Sequence, residues 1–149
     1  MTITNEAPRG QPGYVGLHRS GELVRRAEAL DAVLSECRLC PNECRVDRPG
    51  GERGRCLSGR LARVGHFTAH FGEEPPLCGT GGAGTIFFSS CTLRCAFCQN
   101  YQISQRGPLD PGPGIGTRDG FGDEVGDEKL AGMMLDLQGR GCHNIDLVT

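Results

Sequence analysis

The chain lacks any long apolar run. No stretch of its 149 residues approaches the roughly 20 apolar residues a membrane-spanning helix needs. The first thirteen residues, "MTITNEAPRGQPG", contain no apolar core of the kind a secretory signal carries, so the expected location is cytoplasmic. Charge of one sign is lacking too. With 16 Lys and Arg against 18 Asp and Glu, the net charge is −2, which gives no reason to expect a polyanionic partner. There is no internal repeat. The phosphate-binding Gly-Lys-Ser/Thr step is also missing, because the glycines of "CGTGGAGT" (78–85) precede an apolar segment instead of following one. Close approach of backbones is the reading those glycines support.

Cysteine and glycine are abundant. Nine cysteines and 24 glycines in one chain of this length suit a single loop-rich domain with a sizeable core. In a cytoplasmic setting disulfides rarely persist, so clustered cysteines point to metal ligation or catalysis. Nine is also an odd number, which a pure disulfide framework would not leave. Three of them fall in "CTLRCAFCQN" (91–100). Another four, Cys37, Cys40, Cys44 and Cys56, fall in "CRLCPNECRVDRPGGERGRC".

Residues 1–19 read as a flexible arm. A helix is expected from Ser20 as its cap to about Cys37, with Leu23, Ala27, Leu30 and Leu34 on one face. The segment from Cys37 to Gly59 has no helical or strand period and cannot build an apolar core alone, so metal binding is one way to organise it. An iron–sulfur cluster, a zinc site and unmetallated thiols all stay open for its four cysteines. Six arginines, Arg45, Arg48, Arg53, Arg55, Arg60 and Arg63, accompany them as a solvated face or as contacts for an anionic partner.

Further on, "TIFFSS" (85–90) has the β-branched and aromatic content of a buried strand. Half the residues from Gly107 to Gly126 are Gly or Pro, which predicts a surface loop. A second helix follows, capped at Asp127, with Leu130, Met133, Met134 and Leu137 at core spacing. "NIDLVT" (144–149) reads as a second strand. Strand, loop, helix and strand form one βαβ unit, so the two strands should be parallel. The three-cysteine loop then lies just beyond the carboxyl end of the first strand, where parallel α/β architectures gather their active sites.

Three thiolates at these spacings can hold three corners of a cubane iron–sulfur cluster. The competing reading is a zinc knuckle completed by Cys78, Cys142 or a histidine. The histidines His18, His66 and His70 have no ligand spacing with each other or with acids. Cys91, Cys95 and Cys98, with Phe97 directly before the last, resemble the signature of the radical S-adenosylmethionine (SAM) superfamily. "HFGEEPP", "GTIFFSSCTLRCAFCQNYQIS" and "GCHNIDLVT" are similar to its pyruvate formate-lyase activating enzyme-like branch. The resemblance runs from Cys37 to Thr149 apart from the Gly/Pro-rich insertion. Cys78 departs from it, standing where the branch carries a small Ser-like residue, and Cys78 receives no role.

That resemblance implies an α/β fold: the N-terminal part of a radical SAM partial (β/α) barrel over 77–149, preceded by a helix and small cysteine-rich module over 20–76. It implies that Cys91, Cys95 and Cys98 ligate a 4Fe–4S cluster whose open iron is chelated by SAM. One electron from that cluster would cleave SAM to a 5′-deoxyadenosyl radical, in some members to place a glycyl radical on a partner protein. Phe97 would pack near the adenine, its alternative being an ordinary core aromatic. The implied partners are SAM, an electron donor such as flavodoxin or ferredoxin, and a protein substrate. Because the second strand ends at Thr149, the chain is expected to be incomplete, with further SAM-binding surface beyond it. The rival function is a non-catalytic zinc-binding module that contacts nucleic acid through its arginine-rich segment.

Overall fold

In the computed structural model, residues 11–105 and 122–149 are described. Four strands, β1 (Ala62–His70), β2 (Ala83–Phe88), β3 (Asp123–Val125) and β4 (Ile145–Val148), form one mixed sheet in the order β3-β1-β2-β4. The helices are α1 (Gly13–Arg19), α2 (Glu22–Ala32), α3 (Pro75–Cys78), α4 (Tyr101–Ser104) and α5 (Asp127–Gly139), with a 3-10 turn at Val33–Glu36 after α2. None is long and apolar enough to cross a membrane among the described residues.

The expected βαβ unit is present. β2 and β4 pair in parallel, Gly84 beside Ile145 and Phe87 beside Val148, with α5 between them in sequence. Ile86 and Leu137 are fully buried and share a core with Val64, Val125 and Cys142. Leu130, Met133 and Met134 of α5 pack against that core, as their i, i+3, i+4 spacing requires. Burying each large aliphatic side chain here is worth about 1.5–3 kcal/mol.

Glycines make the parallel pair possible. A Cβ on Gly81 would stand 2.1 Å from the Gly141 carbonyl oxygen, and one on Gly84 would stand 2.8 Å from the Asn144 carbonyl oxygen. The Gly84 N–H donates to that same Asn144 oxygen at 3.1 Å. Close backbone approach is therefore what the "CGTGGAGT" glycines serve.

The sheet is wider than the sequence suggested. β1 lies between β2 and β3 and is antiparallel to both. Its pattern hid it: Ala62 and Val64 occupy even positions, whereas Phe67 and Ala69 occupy odd ones. A register shift between Val64 and His66 inserts one residue, so both pairs reach the same core. β3 falls within the expected Gly/Pro-rich loop, and Val125 anchors it at 2 % exposure; residues 106–121 of that loop lie outside the described residues.

Helix starts also differ. Asp127 does not cap α5 but is its first residue, after Gly126. Part of the expected arm, Gly13–Arg19, is α1, too short to hold alone and packed on α2. Ser20 does not cap α2. Its hydroxyl donates to the Leu17 carbonyl at 3.0 Å, closing α1, and left-handed Gly21 (φ 75) precedes Glu22 instead.

Glycine substitutions should separate these roles. Gly81→Ala should lower stability by about 1–3 kcal/mol through overpacking. Gly132→Ala, in open space within α5, should raise it by roughly 0.5–1 kcal/mol. Urea-unfolding midpoints that move in the same direction for both would contradict the close-approach account.

Candidate functional site

The three-cysteine loop leaves the carboxyl end of β2 and is tied back on itself. The Ser90 N–H donates to the Ile103 carbonyl at 2.8 Å, and Ser104 N–H to Asn100 at 3.0 Å, so the single turn α4 closes the loop. Within it, the Cys98 N–H donates to the Cys95 carbonyl at 3.2 Å and the Tyr101 N–H to Cys98 at 3.2 Å. The Gln105 side-chain amide also donates to the Cys95 carbonyl, and Arg94 reaches the Gln105 carbonyl at 3.3 Å. Ser90 and Arg94 adopt left-handed conformations, φ 78 and 51, which non-glycine residues hold only where surrounding contacts fix them.

Cys91 opens the loop. Its thiol is held below the ordinary range first by the Thr149 side chain, against the opposing effect of burial, and then by the N–H groups of Leu93, Arg94 and Thr92. Thr149 reaches it because β4 runs parallel to β2, bringing both carboxyl ends to one side. The Cys98 sulfur lies 3.3 Å from the Ser104 hydroxyl, which is buried at 2 % exposure. Cys91, Cys95 and Cys98 are all partly exposed.

Among the described residues, no three Cys, His, Asp or Glu side chains converge closely enough for a single metal ion. A cubane makes a different demand, since each thiolate binds a different iron and the sulfurs stand apart around the cluster. One loop offering three partly exposed cysteines, the thiol of Cys91 held below the ordinary range, fits that donor set. Phe97 is 91 % exposed beside it, so its core-aromatic alternative does not apply.

Cys78 and Cys142 are placed where they cannot complete the loop. The Cys78 sulfur contacts the Glu73 carbonyl at 3.0 Å and the Cys142 sulfur the Gly81 carbonyl at 3.5 Å. Both therefore sit at the amino end of β2, about 20 Å of strand from the loop. Of the histidines, His70 lies 3.8 Å from Glu73, at that same far end.

The N-terminal module touches the loop directly, Asn42 Nδ2 donating to the Thr92 carbonyl at 3.0 Å. A cavity of about 460 Å³ lies between them, with Cys37, Cys40, Arg48, Cys56 and Thr92 in its wall. The arginines of this segment are mostly engaged: Arg45 with Glu36, Arg60 with Asp31, and both Arg53 and Arg63 with Glu124. Arg48 is buried among sulfurs. Sequence reasoning missed Thr149 and Ser104, and it placed Arg48 only among six arginines on a solvated face or at an anionic contact, whereas Arg48 is buried. Only Thr149 had a usable signal, the parallel pairing that brings its strand end to the loop.

Comparison with known proteins adds one relative. The chain is 37 % identical over 82 residues to an uncharacterized protein of Methanocaldococcus jannaschii, a match that covers 54 % of this chain and 22 % of the relative. It thus spans about a fifth of that protein's length. No family model matches the chain, and no solved structure matches it.

Proposed function

We propose that the chain is the cluster-holding part of a radical SAM enzyme, with Cys91, Cys95 and Cys98 as the three ligands of a 4Fe–4S cluster. The observation that carries this reading is the setting of Cys91. It opens the loop at the carboxyl end of the parallel strand pair, where the Thr149 side chain and the N–H groups of Leu93, Arg94 and Thr92 hold its thiol below the ordinary range. Donors directed at a sulfur stabilise thiolate, the ligating form, and hydrogen bonds to cluster sulfurs tune reduction potential.

The chemistry supplied by the bound group is one-electron reductive cleavage of SAM. The residues do the rest. Ser90, Arg94 and Gln105 hold the loop in shape before any ligand arrives, and Ser104 orients Cys98. Phe97 offers an uncovered aromatic face for the adenine. Shielding from water is not provided by this loop, whose Leu93 and Phe97 are 77 and 91 % exposed. A flavodoxin- or ferredoxin-like donor and a protein that receives a glycyl radical are the partners this reading carries with it.

Two outcomes check it. After anaerobic reconstitution with iron and sulfide, the reduced protein should give a cluster signal in electron paramagnetic resonance that changes on adding SAM. Each of Cys91→Ala, Cys95→Ala and Cys98→Ala should abolish it, and signals unchanged in all three variants would sink the assignment. Phe97→Ala, by contrast, should keep the iron and sulfide content while raising the SAM concentration needed for the spectral change about tenfold, the scale of one lost aromatic stack of roughly 1–3 kcal/mol. An unaltered SAM titration would remove Phe97 from the site.

A further inference from the structure

Between residues 37 and 58 the chain folds around a guanidinium. Arg48 is 6 % exposed. Its Nη1 donates to the Ser58 carbonyl, and its Nη2 lies 3.4 Å from the Cys56 sulfur and 3.8 Å from the Cys44 sulfur. The Cys37 sulfur, on a residue 2 % exposed, also accepts from this side chain. The Nε is buried without a partner. The backbone is fitted to the group as well: a Cβ on Gly54 would stand 2.5 Å from the Cys44 sulfur and 2.7 Å from Arg48 Nη2.

An arginine cannot shed its proton, and a buried charge demands a counter-charge. Among the described residues the neighbouring carboxylates serve other groups. Glu36 binds Arg38 and Arg45, Asp31 binds Arg60, and Glu124 binds Arg53 and Arg63. Asp47 and Glu52 accept from the N–H groups of Gly50 and Asp47. The groups that touch the Arg48 guanidinium itself are the Ser58 carbonyl and the sulfurs of Cys37, Cys44 and Cys56.

We propose that the Cys56 sulfur, held against the Arg48 guanidinium at the wall of the cavity, is a covalent site for soft electrophiles such as hydrogen peroxide, with Cys44 as the thiol that resolves the product. Cys56 lies nearer the guanidinium than Cys44 does, lines the 460 Å³ cavity and, unlike buried Cys37, is partly exposed, so small molecules can reach it. Burial pushes its thiol up, but the Ser58 N–H and hydroxyl together with Arg48 bring it below the ordinary thiol range. The titratable and charged groups facing it are Arg48, Cys37 and Cys44 within the module, with Cys40 and the Asp31-paired Arg60 across the cavity.

The chemistry balances. The Cys56 thiolate attacks one peroxide oxygen, the O–O bond breaks, and hydroxide leaves, giving a sulfenic acid. The Cys44 thiol then attacks that sulfur and water departs, leaving a Cys44–Cys56 disulfide and two-electron reduction of one peroxide to two waters once the hydroxide is protonated. Neither cysteine belongs to the 91–98 loop, so this site stands or falls apart from the cluster assignment.

The test is cysteine-by-cysteine alkylation of the full chain, reduced and treated with a chelator, using limiting iodoacetamide from pH 6 to 9 and peptide mass spectrometry. At pH 6.5 Cys56 should react about tenfold faster than partly exposed Cys40, and the advantage should vanish in urea. Arg48→Met should slow Cys56 about tenfold at pH 6.5, with recovery at pH 9. Arg48→Lys, which keeps a charge, should give an intermediate rate if the Met variant is unfolded by circular dichroism. Equimolar peroxide should yield the Cys44–Cys56 cross-linked peptide. Equal rates for Cys56 and Cys40 in the folded wild-type chain overturn the proposal, and a disulfide to Cys37 removes Cys44 from its role. Protection of Cys37, Cys44 and Cys56 in protein tested before chelation would assign them to a metal ion and overturn it too.

Discussion

Everything at the carboxyl end of the sheet depends on the parallel contact between β2 and β4. Parallel strands cannot be joined by a tight turn, so a crossover through α5 has to return the chain to the same side of the sheet. That return is sterically possible because Gly81 and Gly84 present bare backbone to Gly141 and Asn144. Leu137, buried completely on the far side of the crossover, fixes the helix that makes it. The result is local and chemical: the end of β4 arrives beside the start of the three-cysteine loop, and Thr149 joins the amides around Cys91.

The parts of this arrangement that were legible in the sequence are those with short periods. β2, α5 and β4 each carry a pattern that survives within a few residues, and their order alone dictates parallel pairing. β1 was illegible for a physical reason. Its bulge exchanges the two faces midway, so Val64 and Phe67 point the same way at odd spacing and no two-residue period remains. β3 is three residues long and is held by partners from elsewhere, Arg53 and Arg63 on Glu124, which no local pattern records. Ser20 illustrates another ambiguity, since a side chain able to open one helix can instead close the one before it.

The candidate site divides similarly. The three loop cysteines are adjacent in sequence and were visible as a set. Arg48 was visible only as one arginine among six, because its distinction lies in being buried against sulfur, and burial in a segment without secondary structure follows from tertiary packing alone. The module that contains it has little apolar interior. Cys37, Arg48 and Gly54 are its buried positions, so sulfur, guanidinium and bare backbone occupy the space that aliphatic side chains fill in an ordinary small domain.

The left-handed conformations of Ser90 and Arg94 have a kinetic consequence. Each departs from the preferred backbone basin at roughly 1–2 kcal/mol, and the Ile103 and Gln105 carbonyls at the other end of the loop hold them there. A loop constrained at both ends opens as a unit, because releasing one tie lets the other residue relax as well. Exchange between the closed shape and a disordered one should therefore be all-or-none, with the three sulfurs kept in register by the closed shape and scattered together on opening.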